Sequence, residues 1–83
     1  MGHAGDMSET LLDTKGLNCP LPVLKARKAL KSMPAGGLLR VLATDPASVI
    51  DFRAFCLETG HELLEASEED AVYSFLIRRV EKT

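Results

Sequence analysis

Gly16-Leu17-Asn18-Cys19-Pro20-Leu21-Pro22 leads directly into the first predicted helix of this chain, and this helix start is the strongest local signal of the fold. Residues 23–33 have helical periodicity, and their apolar side chains fall on one arc: Val23, Ala26, Ala29, Leu30 and Met33. The opposite side carries Leu24 and four cations: Lys25, Arg27, Lys28 and Lys31. The pattern predicts an amphipathic helix with a basic outer face. Met33 to Gly37, rich in proline and glycine, ends it.

The rest of the chain alternates strands with one further helix. Asp45-Pro46 is a strong helix start, because aspartate can cap and proline suits the first turn, and Gly60 is a natural stop. The apolar arc of this second helix is predicted to hold Val49, Ile50, Phe52, Ala54, Cys56 and Leu57, with Arg53 awkwardly inside it and Phe55 outside it. Strands are predicted at Leu11-Leu12, Leu38–Thr44, His61–Ser67 and Ala71–Val80, with a turn at Glu68-Glu69-Asp70.

The order strand, helix, strand, helix, strand, strand predicts an α+β fold. Two helices can cover one face of a four-stranded mixed sheet, which gives a two-layer α/β sandwich. Right-handed crossovers place both helices on the same side of that sheet.

Length and composition bound the possible functions. The chain has 83 residues, enough for one domain, which we place at residues 10–83. Residues 1–9 lack the apolar stretch of a signal peptide and are expected to form a flexible tail, in part vector-derived. No apolar run reaches the roughly 20 residues needed to cross a bilayer. We therefore expect a cytoplasmic protein that does not bind membranes.

The net charge and the spacing of the cysteines and histidines argue against nucleic-acid-binding and metal-binding functions. A net charge of −2 argues against direct nucleic-acid binding. Cys19 and Cys56 form no CxxC pair and share no metal-ligand spacing with His3 and His61. We expect no metal, no cofactor and reduced thiols.

Cys19 is the candidate reactive residue because it lies where a loop becomes a helix. With Pro20 as the first helical residue, the N–H groups of Leu21 and Val23 are expected to point toward the sulfur. Together with the helix dipole they are expected to lower the thiol pKa. From the motif alone, a small buried cysteine at a rigid helix start is the favoured interpretation, because a lone cysteine is more often a buried apolar residue than a nucleophile. Cys56, on the apolar arc, is expected to be buried and inert.

The chain as a whole resembles the TusA/SirA family of sulfur-carrier proteins. The resemblance spans roughly residues 11–80 and rests on Leu12-Asp13, the Gly16–Pro22 motif, Lys28, Gly36-Gly37, Asp45-Pro46-Ala47, Asp51, Phe55-Cys56 and Gly60-His61-Glu62-Leu63. It implies a fold similar to the C-terminal domain of translation initiation factor 3. It also implies that Cys19, in the helix-start motif with Pro20 and Pro22, carries sulfur as a persulfide.

The resemblance further implies a relay between proteins. A cysteine desulfurase or a rhodanese-like protein would supply the sulfur, and an acceptor protein would remove it for tRNA thiolation or cofactor sulfuration. The domain would be a sulfurtransferase with little turnover alone, acting as a monomer. Its partner surface is expected at Leu24, Arg27, Lys28, Lys31 and an exposed Phe55; a merely solvated basic face is the alternative.

Other functions stay open from the sequence. Cys19 could serve a redox-sensing or regulatory module. The basic helix could serve an RNA- or protein-binding module, although a shared fold does not imply a shared function. Asp45 most simply caps its helix, and it approaches Cys19 if the sheet brings the two helix N-termini together. His61 more simply binds a backbone group than transfers a proton.

Overall fold

The computed structural model of the chain describes residues 9–81 and has six regular elements. They are β1 (Glu9–Asp13), α1 (Leu21–Lys31), β2 (Leu38–Ala43), α2 (Ser48–Thr59), β3 (Glu62–Glu69) and β4 (Val72–Arg78). Residues 1–8, most of the predicted tail, lie outside the described range, whereas Glu9 opens β1. None of the helices described here is long and apolar enough to cross a membrane.

The four strands form one mixed sheet in the order β1-β2-β4-β3. β1 and β2 run parallel, as a strand–helix–strand crossover requires, and the other two pairs are antiparallel. The predicted α+β fold and its element order are thus confirmed.

Both helices pack on the same face of this sheet. That face is lined by alternate residues of the central strands, Leu39, Val41 and Ala43 of β2 and Phe75 and Ile77 of β4. Against them lie Ala26 and Leu30 of α1 and Phe52, Phe55 and Cys56 of α2. The Phe52 and Phe75 rings stack with centroids 4.7 Å apart. The predicted apolar arc of α1 is confirmed, since Val23, Ala29 and Met33 also pack against this core.

The predicted buried face of α2 is wrong in part. Ile50 and Leu57 are 73% and 85% exposed, whereas Phe55, predicted to be exposed, is only 3% exposed. The helix is apolar on every side, so periodicity could not distinguish its inner face; the large rings of Phe52 and Phe55 occupy the core instead. Arg53, awkward in the predicted arc, is exposed on this rotated helix.

The hairpin between β3 and β4 turns one residue later than predicted. Asp70 and Ala71 are the turn residues, with φ of 54° and 65°. Two consecutive positive φ values match the twist of a two-residue hairpin. Since neither residue is glycine, the residue types at these positions do not indicate such a turn. Gly60 ends α2 in the left-handed conformation, as predicted. The predicted start of α2 is wrong, because the helix begins at Ser48 with Ala47 as its N-cap residue, so that Asp45 and Pro46 lie before it. The helix α1 runs two residues earlier than the predicted 23–33.

Two truncations on α2 test which face supports the core. Phe52→Ala removes a fully buried ring and should lower the free energy of unfolding by about 3–5 kcal/mol. Ile50→Ala removes an exposed side chain and should change it by no more than about 0.5 kcal/mol. Urea unfolding followed by circular dichroism measures both. A large loss for Ile50→Ala would mean that α2 is rotated relative to this fold.

Candidate functional site

Two loops meet at the carboxyl ends of β1 and β2. Because the strands are parallel neighbours, the segment after each one emerges at the same edge of the sheet. Thr14 is buried, and both its backbone N–H and its hydroxyl donate hydrogen bonds to the Leu42 carbonyl. The Gly16 N–H donates to Oγ1 of Thr44 at 2.9 Å. These bonds fix the start of the loop that carries Cys19.

Cys19 is exposed on this loop and lies between two carboxylates. Its backbone N–H donates to Oδ2 of Asp45 at 2.7 Å, and its thiol donates to Oδ2 of Asp51. The other oxygen of Asp45 accepts the Ala47 N–H at 3.0 Å, just before α2 begins. Asp45 therefore joins the starts of both helices, and the predicted approach of Asp45 to Cys19 is confirmed.

The carboxylates raise the pKa of the Cys19 thiol above its ordinary value. The hydrogen bond to Asp51 is the largest cause, followed by partial desolvation and by the negative charges of Asp51 and Asp45. The predicted lowering of this pKa is thus wrong. By contrast, the hydrogen bond from the Cys19 N–H and then that from the Ala47 N–H lower the pKa of Asp45.

The start of α1 explains part of that error. Pro20 is the N-cap residue and not the first helical residue, and the Leu21 N–H donates to the Asn18 carbonyl at 2.8 Å. That N–H group is thus directed to the backbone and not to the sulfur, contrary to the prediction. Pro22 occupies the second helical position and is buried, which fixes the start of the helix against the core.

The basic face of α1 is exposed, and it begins one turn beyond Cys19. Leu24, Lys25, Arg27, Lys28 and Lys31 all have exposed side chains. The Arg27 guanidinium lies over the Phe55 ring, 5.1 Å from its centroid. Phe55 therefore supports Arg27 from beneath and does not itself present an exposed surface.

Two other candidate residues, Cys56 and His61, have environments typical of residues with a structural role. Cys56 is buried, as predicted, and desolvation raises the pKa of its thiol to about 11, which disfavours its thiolate; its inertness stays a prediction. Nδ1 of His61 accepts the Val80 N–H at 3.0 Å, as expected of a histidine with a backbone partner. His61 follows the last turn of α2 and Asp51 lies in the first, so His61 is at the far end of that helix from Cys19.

Asp51 was not among the residues that the sequence singled out as a site. It lies 32 residues from Cys19, and only the pairing of β1 with β2 brings it to the sulfur. The available signal was its place in the first turn of a helix whose N-terminus shares an edge of the sheet with that of α1. Within residues 9–81 no three His, Cys, Asp or Glu side chains are grouped so that they could hold a metal ion.

The sequence of this chain is similar to those of known sulfur-carrier proteins. The family model described as sulfurtransferase TusA matches residues 10–79. The chain belongs to the TusA family. The sulfur carrier protein TusA of Allochromatium vinosum is 54% identical over 68 residues, which are 82% of this chain and 90% of the relative. A TusA of Pseudomonas aeruginosa is 44% identical over 79 residues, covering 95% and 96% of the two chains.

A solved structure of a SirA-like protein has the same fold. The crystal structure of a SirA-like protein from Desulfitobacterium hafniense superposes with a TM-score of 0.76 at 31% identity, covering 87% of this chain and 99% of that one. The predicted resemblance to the TusA/SirA family is confirmed, and the sulfur-carrier class follows from TusA family membership.

Alkylation of the native protein tests the contrast between its two cysteines. Iodoacetamide should label Cys19, and the labelling rate should reach half its maximum at a higher pH than that of a cysteine in an unstructured peptide, because the carboxylates raise the pKa of the Cys19 thiol. Cys56 should stay unlabelled until the protein is unfolded in urea. Peptide mapping by mass spectrometry separates the two sites. Half-maximal labelling of Cys19 at a lower pH than that of the unstructured peptide would contradict the effect of the carboxylates.

Proposed function

We propose that this protein carries sulfur as a persulfide on Cys19, accepting it from one protein and passing it to another. The observation that carries the proposal is an exposed cysteine at the helix start of a TusA-family chain, with a carboxylate bound to its thiol. Pro20 and Pro22 shape the helix start behind it. The proposed relay runs in the cytoplasm between thiols, with tRNA thiolation or cofactor sulfuration as its destination.

The chemistry requires no cofactor. The Cys19 sulfur attacks the outer sulfur of a donor persulfide, so that the donor's S–S bond breaks and a new one forms on Cys19. The donor leaves as a thiol, and no net oxidation occurs. In the second step an acceptor thiolate attacks the outer sulfur held on Cys19 and releases Cys19 as a thiol. In this sense the protein is a sulfurtransferase that acts with partners.

The carrier role accounts for the site better than a redox sensor does. Sensor cysteines are oxidised as thiolates, and their pKa is correspondingly low. The Asp51 hydrogen bond and the negative charges near Cys19 raise its pKa, which disfavours reaction with small oxidants. A protein donor, unlike a small oxidant, can change the surroundings of the sulfur when it docks.

The basic face of α1 is the proposed docking surface for a sulfur partner. Lys25, Lys28 and Lys31 are exposed, and they lie on the helix whose start is next to Cys19. An acidic patch on the partner would be attracted to this face and would meet Cys19 at its end. Leu24 and Arg27, the latter supported by Phe55, complete the surface.

Sulfur loading tests the carrier function directly. The reduced protein is incubated with a cysteine desulfurase and cysteine, or with a rhodanese and thiosulfate, and its intact mass and peptides are measured without reductant. We expect a gain of one sulfur on the Cys19 peptide, reversed by dithiothreitol. Cys19→Ser should abolish the gain, whereas Cys56→Ser should keep it. Failure of both donors to load Cys19, or loading of Cys19→Ser, would refute the proposal.

Charge reversal tests the docking surface. Lys28→Glu/Lys31→Glu should slow loading about tenfold at low salt and weaken its salt dependence, because electrostatic steering is lost. These lysines are chosen because Arg27 also packs on Phe55. Arg53→Glu, an exposed reversal on α2, is the matched control and should have little effect. Equal rates and salt dependence for all three proteins would exclude the basic face.

A further inference from the structure

The inference made here rests on the proposed function. The hydrogen bond between the Cys19 thiol and the Asp51 carboxylate creates a chemical difficulty for that function. A carboxylate that holds the thiol proton also raises the pKa of that thiol. The sulfur must nevertheless become a nucleophile when a donor persulfide arrives. A group in contact with the sulfur must then remove the proton at that moment.

We propose that Asp51 is the acid–base residue of sulfur transfer, accepting the Cys19 proton in the loading step and delivering a proton to the Cys19 sulfur in the release step. During loading, the S–H bond of Cys19 breaks as its sulfur attacks the outer sulfur of the donor persulfide. The proton moves to the Asp51 carboxylate, and the electron pair of the broken S–S bond leaves with the donor sulfur. That thiolate takes the proton from Asp51, which is left ionised as before.

The release step uses the same groups in reverse. The acceptor thiol gives its proton to the Asp51 carboxylate as its sulfur attacks the outer sulfur on Cys19, and the S–S bond to Cys19 breaks. A thiolate of raised pKa is a poor leaving group. Protonation of the departing Cys19 sulfur through Asp51 removes that obstacle. One carboxylate therefore serves both directions, as a carrier that loads and unloads at the same atom requires.

The other ionisable groups near the site are less suited to this role. Both oxygens of Asp45 accept backbone N–H groups, from Cys19 and Ala47, and these bonds lower the pKa of that carboxyl. Asp45 thus holds the backbone of Cys19 and is a weak proton acceptor. His61 lies beyond the far end of α2, with Nδ1 bound to the Val80 N–H. Asp51 is the group bonded to the sulfur itself.

The test compares two rates in Asp51→Asn, those of iodoacetamide labelling and of sulfur loading at Cys19. If Asp51 is the acid–base residue, the first rate should rise and the second should fall. In Asp51→Asn the negative charge is lost, so the Cys19 pKa should fall. Iodoacetamide labelling at pH 7.5 should become several-fold faster, since the gain in thiolate exceeds the loss in nucleophilicity. Loading from a cysteine desulfurase should become about 10²-fold slower, because an amide cannot take the proton. Single-turnover loading is followed by quenched mass spectrometry over a range of pH.

Two further variants control for structure and for charge. Asp51→Glu keeps a carboxylate and should restore most of the loading rate. Glu58→Gln makes the same loss of charge at the other end of α2, where it should leave both rates unchanged. Thermal unfolding of each variant checks that the fold is kept.

The outcomes separate this inference from the proposed function. Faster labelling with slower loading in Asp51→Asn supports the acid–base role. Unchanged loading, or a rise or fall in both rates together, overturns it while wild-type loading still establishes the carrier. If the wild-type protein takes sulfur from neither donor, the carrier function fails, and the role of Asp51 in transfer fails with it.

Discussion

The parallel pairing of β1 with β2 is the constraint on which the site depends. It sends the segment after each strand to the same edge of the sheet, so that two helices start side by side. Asp45 then bonds to the backbone at both helix starts, through the N–H groups of Cys19 and Ala47. An exposed cysteine thereby obtains a fixed backbone without being buried. It can be reached by another protein and still keep a defined position.

The sequence predicts those elements whose residue pattern distinguishes an inner from an outer face, or whose ends are marked by a particular residue type. α1 has one apolar and one basic side, so its inner face was evident, and Gly60 marked the end of α2 because a left-handed residue is needed there. α2 is apolar all round, and only packing could decide that Phe55 lies inside and Ile50 outside. The late turn at Asp70-Ala71 was also unpredictable, because its positive φ values are held by the strand pairing and not by glycine.

In the site, too, the features set by local sequence could be predicted, and those set by contacts between distant residues could not. The position of Cys19 before a helix is a local property, and the motif with Pro20 and Pro22 predicted it. Its chemical surroundings are not local: Asp45 is 26 residues away and Asp51 is 32. The helix start alone predicts a lowered pKa for the Cys19 thiol, whereas the two aspartates raise it. Once the topology is known, two aspartates at the start of α2 are the natural partners of whatever follows β1.

A carrier has a requirement that an ordinary catalytic cysteine does not. An enzyme nucleophile gains from a permanently low pKa, because its thiolate has to attack in every turnover. A carrier has to attack once and then be displaced once from the same sulfur, and a permanent thiolate would also react with small oxidants between the two events. A helix dipole cannot be switched off, whereas a proton on a neighbouring carboxylate can move in either direction. In the proposed mechanism, control of the Cys19 proton by Asp51 instead of by the helix start is therefore suited to a sulfur that must be held, protected and given up.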